Sequence, residues 1–401
     1  MIMSTSRQEA YIVSAKRLPV GKKNGQMKST RPDDLLAAAL QACLSDLPEL
    51  DRNAIDDVIV GCAMPEAEQG MNMARIGLLL AGLPQSVPGI TINRFCASGL
   101  QAVAYAAQRI QLGEADLVLA AGAESMSAMP QIMGNKLAMN PVVFEDNAHL
   151  GIAYGMGMTA ENVARQWSVS RDDQDQFALA SHTKACKAQA EGAYADELTP
   201  YEVVAHLPNP ESAQPRLKRS WMHQDEGPRA DTTLERLAKL KPVFHAKGSV
   251  TAGNSSQMSD GAGALLVASA SAIKTHGLTP IARFVAFEVA GVAPEIMGIG
   301  PIAAIPKAVA RAGVRLQDIG WIELNEAFAA QALAVIRELK LDPTLVNPLG
   351  GAIAAGHPLG ATGAIRSCTA IHGARRQRKP YSMVSMCIGT GMGAAGIFET
   401  L

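Results

Sequence analysis

Residues 91–113, TINRFCASGLQAVAYAAQRIQLG, decide how the rest of the chain is read. They read as the end of a strand, a tight turn carrying Cys96, and a helix. Leu100, Val103, Ala104, Ala107 and Ile110 follow the i, i+3, i+4, i+7 spacing of one buried helical face. Ser98 and Gly99 mark the entry, and Gly113 suits the left-handed position that ends a helix. Cys96 therefore falls beside a helix N-terminus, where free N–H groups and the helix dipole favour an anion. A thiolate there is stabilised, and its pKa is expected below the ordinary value of about 8.5. The plainer reading is a buried small hydrophobe, the usual fate of a free cysteine.

Outward from this stretch, strands alternate with helices. Segments 10–16 (AYIVSAK), 57–63 (DVIVGCA) and 116–122 (DLVLAAG) are short apolar runs of the kind buried inside a parallel sheet. Between the first two, 31–44 reads as a helix with Pro32 at its start and Asp33 and Asp34 in its first turn. A second short apolar helix is expected over 73–82. This alternation argues for α/β layers. From about 124 to 248 the pattern breaks into Met- and Pro-marked loops, polar helices and a basic, irregular stretch at 215–244. That reads as a large insertion on the first domain. Segment 250–269 returns to the core. The pattern then restarts with strands at 280–291 and 381–399 and helices over 302–313, within 321–339 and from about 361. Both halves thus run strand, helix, strand, reactive residue at a turn, helix, strand.

A length of 401 residues favours two or three domains, and 48% hydrophobic with 18% charged residues describes a globular protein with large buried faces. The formal net charge of −1 lacks the basic footprint of a nucleic-acid binder, and no apolar run is long enough for a membrane span. The six cysteines form no C-x-x-C pair, which argues against zinc ribbons and a disulfide framework and for a reducing compartment. The first residues carry no apolar h-region and FETL is not a peroxisomal address, so the expectation is a cytoplasmic enzyme.

Three further segments carry chemistry. In 347–366, NPLGGAIAAGHPLGATGAIR, His357 sits between Gly356 and Pro358 before a helix. Glycines allow close backbone approach, Pro358 stiffens the turn, and an imidazole suits proton transfer from a thiol; the plain alternative is a surface-loop histidine. In 386–396, MCIGTGMGAAG, Cys387 precedes Gly389, Gly391, Gly393 and Gly396. The G-x-G-x-x-G match at 391–396 is no dinucleotide fingerprint, because five residues follow it and no helix fits there. The glycines suit a tight turn beside Cys387, or simple packing. In NEAFAAQ (325–331), Asn325 taken alone is a helix N-cap.

Together these segments resemble the thiolase family, along essentially the whole chain. The signatures are NRFCASGLQAV, GAESM, TAENVA, VTAGNSS, NEAFAAQ, GGAIAAGHPLGATG and CIGTGMGAAGIFE. MPQIMGNKLAMNP looks more like the degradative 3-ketoacyl-CoA thiolases. The resemblance implies a five-layered αβαβα core of two similar halves. It divides the chain into 1–121 plus 250–274, an inserted CoA-binding loop domain at 122–249, and 275–401. It implies ping-pong acyl transfer with no covalent cofactor, no metal and coenzyme A as substrate. Cys96 resembles the nucleophile, His357 its base, and Cys387 the second acid/base. Asn325 holds a water for one oxyanion hole, and the N–H groups of Cys96 and Gly389 form the other. Ser256 matches a pantetheine contact, and Phe244, Met156, Phe328 and Met297 match residues around the pantetheine and acyl pocket. Arg216, Lys218 and Arg219 are candidates for the nucleotide phosphates, or a solvated basic loop. Gly155 stands where biosynthetic relatives carry histidine. The family also implies a homodimer or tetramer, with 116–122 as a candidate strand across the twofold, and admits a β-oxidation multienzyme partner. A decarboxylating condensing enzyme, a non-catalytic acyl-CoA carrier and the biosynthetic acetoacetyl-CoA thiolase are the competing readings. Cys387 and NEAF argue against the first, and the presence of all four reactive residues against the second.

Overall fold

The computed structural model describes residues 8–128, 139–147 and 149–401; most of the MPQIMGNKLAMNP stretch lies outside them. The N-terminal half contributes β1 (Ala10–Arg17), β2 (Gly21–Lys22), α1 (Pro32–Ser45), β3 (Asp57–Gly61), α2 (Met73–Leu80), β4 (Gly89–Ile92), α3 (Ser98–Gln111) and β5 (Leu117–Ser125). The insertion holds α4 (Met156–Gln166), α5 (Arg171–Ala190), β6 (Tyr201–Leu207), β7 (Arg216–Met222) and α6 (Leu234–Ala238). The chain returns through β8 (Ser259–Ser269) and α7 (Ala270–His276). The C-terminal half has β9 (Ala282–Gly291), α8 (Gly300–Ala312), β10 (Ile319–Leu324), α9 (Ala329–Glu338), α10 (Ala352–Ala355), α11 (Leu359–Arg376), β11 (Tyr381–Ile388) and β12 (Met392–Thr400).

Strand alternation explains the layers. In β5, Leu117, Leu119 and Ala121 face a core shared with α1 and α2, while Val118 and Ala120 face α3 on the other side. In β12, Ala394 and Phe398 face that same central core, whereas Ala395 and Ile397 face α8 and α9. Side chains two apart share a face, so each sheet is covered on both sides. The order is outer helices, sheet, the α3–α11 pair, sheet, outer helices: five layers. Residues of α3 and α11 pack together with β1, β5 and β8 from one half and β9, β11 and β12 from the other.

The strand pairing joins the two halves and corrects two expectations. The two sheets are not separate: β1 pairs with β9 at Ala10, Tyr11 and Ile12, which joins them into one 10-stranded set ordered β10-β11-β12-β9-β1-β8-β5-β3-β4, with β2 alongside β8. Strand β5 cannot pair across a twofold, because β3 occupies one edge in parallel and β8 the other in antiparallel. The terminal strands of the set are β10 and β4. The stretch read as irregular also contains a strand, since β7 pairs with β6 over its full length.

The insertion is anchored by buried charge. Arg17 of β1 bonds Glu197 at 2.6 Å and Asp225 at 2.7 Å, and its guanidinium lies 4.8 Å from the centre of the Tyr194 ring. All three partners come from the inserted segment.

Candidate active site

Glycines bring the two central helices into backbone contact at their N-terminal ends. A Cβ on Gly99 of α3 would lie 2.6 Å from the backbone nitrogen of Ala364 in α11, and one on Gly363 would lie 2.2 Å from that of Leu100. No larger residue fits there without moving a helix. Cys96 and His357 precede these two helices, and α11 packs directly on the Phe95–Ala97 turn.

Cys96 is half-buried on that single turn. Ser98 ties the turn down: its hydroxyl donates to the Phe95 carbonyl at 2.7 Å and accepts from the Arg94 N–H at 2.8 Å. Phe95 adopts φ +43°, a left-handed backbone that costs a bulky residue energy. The backbone N–H groups of Gly389 and of Cys96 itself favour the thiolate, yet burial outweighs them and pushes the thiol up to about 11. The expected depression does not occur, because desolvation of the thiolate exceeds what two amide dipoles return. Cys96 is a neutral thiol at neutral pH.

His357 is buried, follows Gly356 at φ +98° and is no surface-loop residue. Its Nδ1 lies 2.6 Å from the Thr362 hydroxyl, and its Nε2 lies 3.4 Å from the Asn325 amide nitrogen. Burial, aided by the positive charge of Arg366, pushes it down to about 3. The imidazole is therefore neutral. The tautomer with its proton on Nδ1, directed at Thr362, leaves Nε2 as the acceptor, facing the Asn325 amide until a proton arrives. Asn325 is not a helix cap: α9 starts at Ala329 with Phe328 at the cap position. Its Oδ1 is buried without a hydrogen-bond partner, a cost that a bound water would relieve.

Cys387 ends β11 opposite Gly393, just before a turn in which Thr390 and Gly391 have φ +66° and +87°. Only Gly389 and Gly391 belong to this turn; Gly393 and Gly396 lie within β12. Cys387 is buried with Phe328, Met297, Ala160, Val250 and Ala327. Burial and the neighbouring Cys96 push its thiol well above the ordinary range. Phe244 meets Phe328 edge-on at 6.1 Å, and a Cβ on Gly389 would lie 3.6 Å from the Met156 sulfur. Ser256 runs alongside, its N–H bonded to the Ala327 carbonyl at 2.9 Å. The result is an apolar wall around the Cys387 thiol, with Cys96 as its neighbour.

The chain matches the family model for the thiolase N-terminal domain over residues 10–271 and that for the thiolase C-terminal domain over 278–400. The chain belongs to the thiolase family. It is 51% identical to a 3-ketoacyl-CoA thiolase of Bacillus subtilis (strain 168), across 98% of this chain and 99% of that one. It is 46% identical to a 3-oxoadipyl-CoA/3-oxo-5,6-dehydrosuberyl-CoA thiolase of Escherichia coli (strain K12), with 98% and 99% covered. The crystal structure of the Bacillus anthracis acetyl-CoA acetyltransferase superposes with a TM-score of 0.89 at 39% identity, covering 99% of this chain and 100% of that one.

In this thiolase the candidate phosphate contacts Arg216, Lys218 and Arg219 belong to the hairpin of the insertion. They lie exposed on β7, where Arg219 pairs with Glu202 at 2.7 Å and Met222 at the strand end packs into the outer core of the N-terminal half. The insertion presents a second basic group. Arg229 and Arg236 line a hollow of about 260 Å³ with His182, Thr232 and Gln257, the last next in sequence to Ser256. The Arg229 N–H donates to His182 Nδ1 at 3.2 Å. The sequence signal for it was weak: Thr233 caps α6 in GPRADTTLERL, accepting from the Arg236 N–H at 3.3 Å. Thr362, Arg366 and Glu124 were equally missed as neighbours of the reactive groups.

Proposed function

We propose that this enzyme cleaves 3-ketoacyl-CoA with CoA, giving acetyl-CoA and an acyl-CoA shortened by two carbons. The geometry that supports the reading is Cys96 on the turn before α3, His357 against Asn325 before α11, and Cys387 within the apolar cluster of Phe328 and Met297. The substrate comes from the printed activities of its relatives, among them the Bacillus subtilis 3-ketoacyl-CoA thiolase.

The chemistry proceeds in two halves. As the Cys96 sulfur bonds to the C3 carbonyl carbon, His357 Nε2 accepts the thiol proton. The imidazolium and a water held by Asn325 form one oxyanion hole, and the N–H groups of Cys96 and Gly389 the other. Each preorganised donor at such a site is worth about 3–4 kcal/mol. The C2–C3 bond then breaks, its electron pair forms the acetyl-CoA enolate, and Cys387 gives that carbon its proton. Next the Cys387 thiolate takes the proton of an incoming CoA thiol, whose sulfur attacks the acyl group and expels the Cys96 thiolate, to which His357 returns its proton.

Phe328, Met297, Phe244 and Met156 would enclose the acyl and pantetheine chain beside Ser256, with Arg229 and Arg236 placed for the nucleotide phosphates. We further assign the boundaries near 121, 249 and 274, a cytoplasmic location, and a homodimer or tetramer formed through the terminal strand β4. The biosynthetic direction is the second reading, favoured by the superposition on an acetyl-CoA acetyltransferase. Thiolysis rates on acetoacetyl-CoA and on medium- and long-chain 3-ketoacyl-CoAs decide between the two, and a preference for acetoacetyl-CoA alone overturns the first.

A further inference from the structure

Glu124, at the end of β5, is completely buried and has no cationic partner among the described residues. All five of its polar contacts are donors. Oε2 accepts the N–H of Ala63 at 2.7 Å and that of Gly360 at 2.8 Å. Oε1 accepts the N–H of Met64 at 3.2 Å, the Gln69 amide at 2.8 Å and the Cys62 thiol at 3.5 Å. A protonated carboxyl would need an acceptor, and none is present, so the geometry matches a carboxylate held by dipoles alone.

Its contacts reach both reactive turns. Gly360 opens α11, and the Leu359 N–H bonds back to the His357 carbonyl at 2.9 Å. On the other side, the Ala63 carbonyl accepts the Asn93 amide at 3.0 Å, and Asn93 Oδ1 accepts the Phe95 N–H at 2.7 Å. Phe95 is bonded to Cys96. A continuous chain therefore runs from the His357 turn through one carboxylate to the Cys96 turn. The fit is tight: a Cβ on Gly360 would lie 2.5 Å from the Ala63 nitrogen and 2.7 Å from Glu124 Oε2.

We propose that Glu124 is a positioning residue that fixes the nucleophile turn against the base turn, so that His357 can take the Cys96 proton. The inference rests on the thiolase reading above. It does not place Glu124 in contact with substrate.

The test is a double-mutant cycle on the full enzyme. Glu124→Gln sets an amide donor against one of the backbone donors and parts the two turns. The acylation rate of Cys96 and kcat should fall about 10²-fold, the cost of a displacement near 1 Å, with KM for CoA unchanged. In a His357→Ala background the same substitution should cost almost nothing further, since the geometry it protects no longer acts. Asn93→Ala, at an exposed position of the same chain, should lower kcat in the same sense without altering thermal stability. Equal losses in both backgrounds, or loss of kcat only in step with a falling Tm, overturn the inference. So does a Glu124→Gln enzyme that acylates as fast as wild type. Wild-type enzyme that forms no acyl-Cys96 overturns the thiolase reading first, and this inference with it.

Discussion

The two thiols of the site face opposite treatment by the two halves that supply them. Cys96, from the N-terminal half, is partly open, and two backbone N–H groups favour its thiolate. Cys387, from the C-terminal half, is buried, and only its own N–H offsets a larger rise in pKa. Both are harder to ionise than a free thiol, but Cys96 less so. That ordering suits a nucleophile beside an acid: the first sulfur gives up its proton when a base is at hand, and the second holds its proton until a carbanion asks for it. The neighbouring Cys96 raises Cys387 further, whereas the Gly389 N–H, reaching across from the other half, lowers Cys96.

The largest effect should come from removing each thiol in turn. Cys96→Ala should abolish acyl-enzyme formation, because no other thiol occupies that turn. Cys387→Ala should still be acylated at Cys96 by a simple acyl-CoA yet lose carbon–carbon cleavage by about 10²–10⁴-fold, the usual contribution of a general acid. Mass spectrometry of trapped enzyme reads both, and an adduct on Cys387 would reverse the assignment.

A smaller effect sharpens the contrast between two basic groups of the insertion. Arg229→Ala should raise KM for CoA about tenfold or more, as expected for a lost charge-assisted bond of about 1.5–3 kcal/mol. Arg219→Ala, on the exposed hairpin, should change it little. Equal effects would return the nucleotide phosphates to β7.

Smallest is the response to pH. Alkylation of Cys96 by iodoacetamide should keep rising toward pH about 11, with no plateau near neutrality, if burial outweighs the helix end as described. The histidines act on stability with the opposite sense. His357 is held down to about 3 and His182 to about 4, so the unfolded chain binds their protons near pH 6.5 while the folded chain stays neutral. Their contribution is complete above pH 6.5 and is lost as pH falls toward 4 and then 3. Thermal melts over that window should show Tm falling with acid, and more shallowly in His357→Asn.

Much of this was legible before any coordinates. The spacing of Leu100, Val103, Ala104, Ala107 and Ile110 located α3, all five being fully buried, and Gly113 does turn left-handed at φ +75°. Pro32 does open α1, with Asp33 and Asp34 in its first turn. The glycines around His357 and Cys387 pointed to tight turns, and Gly356 and Gly391 have the positive φ that such turns require. Motif order identified the family that the domain matches confirm.

What local spacing could not reach was the outcome of each residue's encounter with distant chain. Periodicity records which face of an element is apolar, because each residue keeps its place on its own helix or strand. Desolvation and hydrogen bonding come instead from whatever packs opposite. The sequence thus determined the elements, the reactive residue types and the family. Only the tertiary structure decided that Cys96 stays protonated beside its helix end, and that Asn325 faces His357 rather than capping a helix. It alone joined the sheets at β1 and β9, and it alone tied the two reactive turns to one buried carboxylate.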